Sequence, residues 1–260
     1  MESFIAIVEQ GIPIIIIVSL TLFMTLEWWI PYLEMSTYRK SQRWHNVGNL
    51  AVSFACNALL SGVISYSITT ATNNKFGLMH LLQLPHVLML VVGVFLCDLN
   101  GYIAHRLYHK VPLFWRFHKV HHSDIELDAS SALRLHPLEF LFQAATQATI
   151  LPLLGVSNVS FVIYVGLSLP LFIINHANIK YPDWYEKYVC LFFVTPNWHR
   201  VHHSSYQPET DSNFADVFTV WDRIFSTRKE QKPEEIIYGL ETLRDSNNQS
   251  FWGMLMTPFK

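Results

Sequence analysis

Long stretches without a charged residue limit the possible folds of this chain more than any other feature. Residues 47–72 contain no charge, and shorter apolar stretches occupy residues 12–26 and 81–96. A membrane-spanning helix needs roughly 20 predominantly apolar residues. Each stretch is therefore long enough, or nearly so, to cross a bilayer.

Composition also indicates a membrane protein. Hydrophobic residues make up 51% of the chain and charged residues 15%, against roughly 25% charged residues in soluble domains. Two more apolar stretches, 138–154 and 156–175, are separated by Pro152 and Gly155 and predict a helical hairpin that either spans the bilayer or is re-entrant. We expect an all-α fold, an integral membrane helical bundle with a cytoplasmic helical cap that carries the histidines described below.

The distribution of cations predicts the orientation of the bundle. The first apolar stretch has no basic residues before it and ends at Glu-Trp-Trp, which is not a cleavable signal peptide. Arg39, Lys40 and Arg43 follow it, so the positive-inside rule places that loop in the cytoplasm. Counting the crossings predicts a multi-pass protein with its active site on the cytoplasmic face. Three regions are expected: N-terminal transmembrane helices and loop (1–80), a catalytic region with transmembrane helices (81–232) and a C-terminal tail (233–260).

Nine histidines form a spaced set. Residues four apart share one face of a helix, so His105 and His109 can point at one ion, whereas His121 is rotated by roughly 100° from His122. Each His-x-x-His-His group can therefore serve two metal ions, and this group occurs twice. The set comprises His105, His109, His118, His121, His122, His176, His199, His202 and His203.

A single pair of histidines four apart occurs by chance more often than it binds a metal. Side-chain packing alone does not explain three matched clusters of histidines. The set therefore predicts a two-metal site. Neutral imidazoles suit zinc, copper, iron or nickel, and the spacing does not choose among these metals.

Further motifs surround these histidines. The chain contains Asp98-Leu-Asn-Gly-Tyr-Ile-Ala-His-Arg-Leu-Tyr-His109, Trp115-Arg-Phe-His-Lys-Val-His-His122, Arg134-Leu-His-Pro-Leu-Glu139, His176-Ala-Asn178, Thr195-Pro-Asn-Trp-His-Arg-Val-His-His203 and Trp221-Asp-Arg-Ile-Phe-Ser-Thr227. In these motifs and their order, residues 98–227 resemble the fatty acid hydroxylase and sterol desaturase superfamily of membrane di-iron oxygenases. One departure is Asn213-Phe214-Ala215, where relatives usually carry Asn-Tyr-Gly. Another is the absence of the fused cytochrome b5 domain that some fatty acid hydroxylases carry.

The resemblance implies a function. It implies two iron ions held by the nine histidines, with zinc as the ion that a purified sample can carry instead, and O2 as the co-substrate. It also implies a fatty acyl, sterol or related lipid substrate that is hydroxylated or desaturated. The two electrons would come from a separate donor of the cytochrome b5, ferredoxin or reductase type.

Four further residues are candidates for orienting the ligand imidazoles. Asp98 lies at the end of an apolar stretch, where a carboxylate is costly unless it is paired, and Asn178 and Asp216 lie beside the motifs. Three roles are open to His136, namely ligation, a hydrogen bond to a ligand, or fixing the turn before Pro137. We expect it to lie outside the set of direct ligands, and we expect no catalytic residue separate from the ligands.

Two other function classes compete with the oxygenase. A metal transporter also uses clustered histidines, but transport needs polar groups inside the spans, and the first two spans have no ionisable residue at their centres. A metal-dependent lipid hydrolase needs an open coordination position for water, and nine ligands leave few. The net charge of −2 does not indicate nucleic-acid binding, and the three cysteines are expected to be reduced.

Overall fold

The computed structural model describes residues 2–34 and 36–260 of the chain, and their fold is all-α. Outside the helices, β-type pairing in the described ranges is limited to three isolated bridges. The helices are α1 (Glu2–Trp29), α2 (Thr37–Asn73), α3 (Leu78–Leu81), α4 (His86–Lys110), α5 (Pro112–His122), α6 (Pro137–Leu154), α7 (Asn158–His176), α8 (Pro196–His202), α9 (Gln207–Thr210), α10 (Val220–Ile224), α11 (Ser246–Gln249) and α12 (Phe251–Met256).

Three of the described helices are long and apolar enough to cross a membrane. They are α1 over Gly11–Trp29, α4 over its whole length, and α7. The expectation of an all-α membrane protein is thus confirmed. The predicted stretches 47–72 and 138–154 lie within α2 and α6, which are not among the three, and the number of crossings stays a prediction.

The long helices pack as a bundle around α4. Helix α2 lies against α6, α1 lies against α7, and α4 contacts both α6 and α7. Their shared core includes Ile68, Leu151, Val156 and Tyr164, all buried. Because lipid is as apolar as these side chains, their close packing, rather than exclusion from water, holds such helices together.

The predicted hairpin is present as α6 and α7, and one glycine makes its turn. Pro152 lies inside α6, and the helix ends at Gly155, whose φ of 78° is left-handed. A residue without Cβ adopts this conformation without strain. The Ser157 side chain then accepts a hydrogen bond from Ser160 N and starts α7.

Helix α4 differs from the predicted stretch 81–96. It begins at His86, directly after Pro85, because a proline cannot donate the backbone hydrogen bond that would continue a helix from α3. It then extends to Lys110, well past the apolar residues. The helix that crosses the membrane therefore also carries His105 and His109.

Buried polar contacts join the N-terminal helices and the chain's last residues to the histidine-bearing region. Arg43, on the first turns of α2, pairs with Glu27 and with Asp128, whose Oδ2 is 2.7 Å from Arg43 Nε. The predicted tail 233–260 contains α11 and α12, and its Gln249 is buried against Arg134. The expected three regions thus pack on one another around the histidines.

Candidate metal centre

Three helices present most of the nine histidines. His105 and His109 are one helical turn apart near the end of α4. Each of the two repeated groups lies on a short helix with a proline in its first turn, Pro112 in α5 and Pro196 in α8. Proline suits this position because its nitrogen needs no hydrogen-bond acceptor there. His176 ends α7 and brings the ninth ring.

The structure brings all nine rings together in two adjoining clusters. Within each cluster, one nitrogen from every ring lies within 4.8 Å of the others. Site A contains His105, His109, His118, His122 and His202. Site B contains His121, His176, His199 and His203. The sites touch where the rings of His122 and His203 stack with centroids 4.6 Å apart.

The two repeated groups exchange roles between the sites. In α5 the pair four apart, His118 and His122, belongs to site A, and His121 belongs to site B. In the second group, on α8 and the residue that follows it, the pair four apart, His199 and His203, belongs to site B, and His202 belongs to site A. Each group therefore contributes to both clusters, as the helical spacing allows.

Backbone carbonyls fix the protonation of three rings. The Nδ1 atoms of His105, His176 and His202 lie 2.8, 2.6 and 2.7 Å from the carbonyl oxygens of Phe214, Phe172 and Ser212. A carbonyl oxygen only accepts, so each Nδ1 must donate and carry the proton. The other nitrogen, Nε2, then presents a lone pair to the cluster, as metal-ligating histidines usually do.

Carboxylates contact three rings of site A. Glu139 Oε1 accepts a hydrogen bond from His118 Nδ1 at 2.9 Å. Asp211 Oδ1 lies 3.3 Å from His109 Nδ1, close to it but poorly aligned for a hydrogen bond. Asp216 Oδ1 lies 3.6 Å from His105 Nδ1. Asp216 was expected from the sequence, whereas Glu139 and Asp211 were not. The position of Glu139 in the Arg134–Glu139 motif could have indicated its role.

The ring nitrogens fit bound metal ions. The Nε2 atoms of His105, His109 and His202 are buried without a hydrogen-bond partner among the described residues. In site B, Nε2 of His176 lies 3.1 Å from Nε2 of each of the other three rings. Imidazole nitrogens that each lie about 2.0–2.1 Å from one shared ion are separated from one another by nearly this distance. Lone pairs that face each other without a shared ion or proton would repel.

Burial keeps the imidazoles neutral. Loss of water around the rings, and next the neighbouring imidazoles, lower the pKa of five histidines on α5 and α8 well below the usual value: His121, His122, His199, His202 and His203. A charged ring is costly in such surroundings. Because a metal ion binds the unprotonated nitrogen, these rings are ready to act as ligands at neutral pH.

Two of the four residues expected beside the ligands have other contacts. The Asp98 carboxylate accepts hydrogen bonds from Val217 N, Phe218 N and Trp221 Nε1, at 3.2, 3.0 and 2.8 Å. Asn178 hydrogen-bonds through its side chain to the backbone of Leu33. Neither side chain contacts an imidazole of the described chain. The Asp98 carboxylate, which was expected to orient a ligand imidazole, is instead satisfied by backbone and indole donors.

His136 lies outside both clusters. Its Nδ1 accepts a hydrogen bond from Leu138 N at 3.2 Å and so caps the first turn of α6, while its Nε2 faces the carbonyl oxygen of Leu255 at 3.3 Å. Of the three roles considered for it, this geometry matches the turn before Pro137. Asp216 alone among the four contacts a ring of the set.

Phe214 borders site A through both its backbone and its ring. Its carbonyl oxygen accepts from His105 Nδ1, and its ring meets the edges of three site A imidazoles at centroid distances of 5.7, 5.1 and 5.6 Å. The three imidazoles are His105, His109 and His202. This side of site A is therefore closed by an apolar ring.

A cavity of about 140 Å³ opens beside both sites. It is lined by His105 and His118 of site A and by His121 of site B, with Tyr108, Gln143 and Phe172 around them. The Tyr108 hydroxyl donates to Gln143 Oε1 at 2.9 Å. An apolar hollow of about 380 Å³ between α5 and α6 has Tyr108 and Glu139 in its wall as well, so the two spaces are neighbours.

Comparison with known proteins places the chain in a family. The model of the fatty acid hydroxylase family matches residues 90–227, more than half of the chain. The chain belongs to the fatty acid hydroxylase family. The matched region contains all nine histidines of sites A and B, so the family resemblance is confirmed over the residues that build both clusters. No solved structure matches the chain significantly.

Three similar proteins are named for acting on lipids. Ornithine lipid hydroxylase OlsE of Rhizobium tropici is 31% identical over 145 residues, 56% of this chain and 43% of that protein. Human alkylglycerol monooxygenase is 30% identical over 55% of this chain and 31% of its own length. Human cholesterol 25-hydroxylase is 27% identical over 56% of this chain and 54% of its own. The chain thus matches only about a third to a half of these relatives.

Proposed function

We propose that this chain is a membrane-bound oxygenase that hydroxylates or desaturates a lipid with O2 and two electrons. The observation that carries the proposal is the position of the cavity. It lies against imidazoles of both sites, His118 and His121 among them, and an apolar hollow adjoins it. A lipid carbon in this cavity would be next to both clusters at once.

The nine histidines are the proposed ligands. Two iron ions held at sites A and B would supply the activation of O2 that oxidation of an unactivated C–H bond requires. Imidazole also binds zinc well, so zinc can replace iron in a purified sample. The chain's own residues hold the rings in place: carbonyl oxygens and Glu139 accept from Nδ1 and aim Nε2 inward, and burial keeps water away from the rings.

The shape of the cavity favours a lipid whose apolar part enters between α5 and α6. The relatives' names cover an ornithine lipid, alkylglycerols and cholesterol, and we take these three classes as candidate substrates. Gln143 adds one polar contact. Its Oε1 is occupied by Tyr108, so its amide N–H groups are free to donate to a lipid oxygen near the reacting carbon.

We infer a multi-pass topology with the metal sites on the cytoplasmic side. Arg39, Lys40 and Arg43 at the start of α2 support this orientation by the positive-inside rule. A separate donor of the cytochrome b5, ferredoxin or reductase type would deliver electrons on that side. Cysteines introduced as Lys75→Cys and Lys229→Cys should react with an impermeant reagent from opposite sides of sealed vesicles. Reaction of both cysteines from the same side would contradict the inferred orientation.

The decisive experiment supplies isotopically heavy O2. The full chain, loaded anaerobically with ferrous iron in lipid nanodiscs, is given a reductant and a panel of ornithine lipid, alkylglycerol and cholesterol. Hydroxylation should transfer one heavy oxygen atom to a lipid, whereas desaturation should remove two hydrogens. His202→Ala should abolish either product, and His45→Ala, outside both sites, should not.

The same assay separates the two competing functions. Conversion that continues without O2 would support the metal-dependent lipid hydrolase. Metal flux into sealed vesicles without lipid conversion would support the metal transporter.

A further inference from the structure

Two segments after α7 expose large apolar side chains. Residues 184–192 include a π-helical turn, Tyr185–Val189, and residues 224–225 end α10. Their exposed side chains, here called the aromatic rim, are Trp184, Tyr188, Leu191, Phe192, Ile224 and Phe225, exposed by 43% to 68%. Water-soluble surfaces rarely present so many together. We propose that the aromatic rim is embedded in the membrane interface and contacts lipid, although neither segment forms a spanning helix.

The rim continues the surface of a spanning helix. Phe95 of α4 is 38% exposed, and its ring stacks on that of Phe218 with centroids 4.4 Å apart. Phe218 in turn contacts Phe193, with centroids 5.5 Å apart. Phe192, a member of the rim, directly precedes Phe193 in the chain. The lipid-facing side of α4 therefore passes without interruption into the rim.

The depth of this region follows from Asp98. Asp98 is the middle residue of α4 and binds the backbone of Val217 and Phe218. At 1.5 Å per residue the middle of this helix is roughly 18 Å from either end. By contrast Asp211 contacts Lys110, the last residue of α4. The segment beside the rim is thus held at Asp98, where the apolar first half of α4 ends. The α9 region lies farther out, at the last residue of the helix.

The charges around the rim suit lipid headgroups. Lys187 is exposed, with its Nζ 5.3 Å from the Tyr188 ring centroid. Arg223 is exposed and donates to the carbonyl oxygens of Leu191 and Cys190. The acidic residue of the segment, Glu186, turns inward and accepts from Asn197 N. Cations with aromatic rings are the side chains that anchor proteins at the headgroup level, and long cationic side chains reach toward phosphates.

Spin-label accessibility tests the depth directly. A nitroxide is attached at Phe192→Cys in the full chain with Cys56 and Cys190 replaced by serine, in nanodiscs of phosphatidylcholine and phosphatidylglycerol; Cys97 is buried and unreactive. The matched control is Tyr206→Cys, an exposed aromatic next to α9. We expect the Phe192→Cys label to be relaxed mainly by O2, which concentrates in hydrocarbon, and the Tyr206→Cys label mainly by a water-soluble nickel chelate.

Two results would overturn the proposal. Equal relaxation by the nickel chelate at both positions would place the rim in water. Shielding of the Phe192→Cys label from both reagents would place it against a protein partner or a second copy of the chain.

Photolabelling of the unsubstituted protein covers the case in which the variants do not fold. A phospholipid with a diazirine in its acyl chain should modify peptides from residues 184–192 and 224–225 and spare those from residues 204–212. The reverse pattern would also reject the proposal. Neither measurement depends on metal binding or on catalysis. The proposal about the aromatic rim is therefore tested independently of the proposed function.

Discussion

Glu139 Oε1 accepts a hydrogen bond from His118 Nδ1 at 2.9 Å, across the contact between α6 and α5. The proton on Nδ1 leaves Nε2 as the metal-binding atom of His118. Carboxylates in this position raise the basicity of the ligand ring and fix its orientation. The pair thus joins the first turn of α6 to site A.

Replacing Glu139 should weaken metal binding at site A. We expect Glu139→Leu to lower metal affinity by about 10–100-fold, because it removes the acceptor for His118. Glu139→Gln should lose less, since its amide oxygen can still accept. Anaerobic titration with ferrous iron, with metal counted per chain, gives the measurement. Glu241→Gln, at an exposed position, is the control, and equal affinity in Glu139→Leu would contradict the role.

Removing one ring from each site should have different effects on metal content but the same effect on activity. His202→Ala leaves four rings in site A, and His121→Ala leaves three in site B, so the second should lose more metal. Both should abolish conversion, and the double variant should be no worse, because the two sites act as a unit. Metal analysis and the lipid assay measure this, with His45→Ala and His80→Ala as controls. Additive losses in rate would argue for independent sites.

Gly101 allows two side chains to approach α4 beside site A. A Cβ at this position would lie 2.9 Å from Tyr164 Oη and 3.2 Å from Asp216 Oδ2. Gly101→Ala should therefore cost about 1–3 kcal/mol by overpacking and displace Asp216 from His105. Thermal unfolding in detergent measures the loss. Gly166→Ala, where a Cβ would meet nothing within 4 Å, should stabilise α7 by up to about 1 kcal/mol; similar shifts in both variants would refute the packing argument.

Gln249 should hold the chain's last residues to the histidine-bearing helices. Its Oε1 accepts from Arg134 Nη2 at 2.7 Å, and its Nε2 donates to the carbonyl oxygen of Ser123 at 2.7 Å. Gln249→Ala leaves buried groups without partners, which costs about 1–3 kcal/mol. The drop in unfolding temperature should exceed that of Asn247→Ala, an exposed position on the same helix. Equal drops would contradict the anchoring role of Gln249.

The metal-free protein should lose stability on acidification. Burial lowers the pKa of rings such as His121 and His203 below the ordinary 6.5. As the pH drops through that value the unfolded chain therefore binds more protons than the folded chain, and the stability of the folded chain falls below about pH 6.5. Bound metal competes with protons for the same nitrogens. Unfolding temperatures of metal-free and metal-loaded protein should diverge over this range, and parallel curves would contradict the interpretation.

The parts of the site that follow from helical spacing could be predicted from the sequence. His118 and His122 share a face, and His121 is rotated from them, because a helix has 3.6 residues per turn. That local rule already indicates that each repeated group divides between two clusters. The long charge-free stretches likewise predict membrane helices, since the bilayer fixes their length and composition.

Contacts between distant parts of the chain could not be predicted in this way. Asp211 reaches His109, and Asp98 binds Val217 and Trp221, across more than a hundred residues. No local spacing predicts such pairs, because they depend on how whole helices dock. For the same reason the sequence indicated a tail where Gln249 is buried, and a ligand-orienting role for Asp98 where backbone N–H groups are its partners.

The division of the histidines between sites A and B implies an order of assembly. Four of the five rings of site A come from residues 105–122, whereas site B joins His121 to His176, His199 and His203. Closing a short loop costs less entropy than closing a long one, and the N-terminal part of a chain leaves the ribosome first. Site A can therefore form while the chain is still being synthesised, whereas site B forms only when α8 docks. An ion captured by site A would then be in place to guide the arrival of His202.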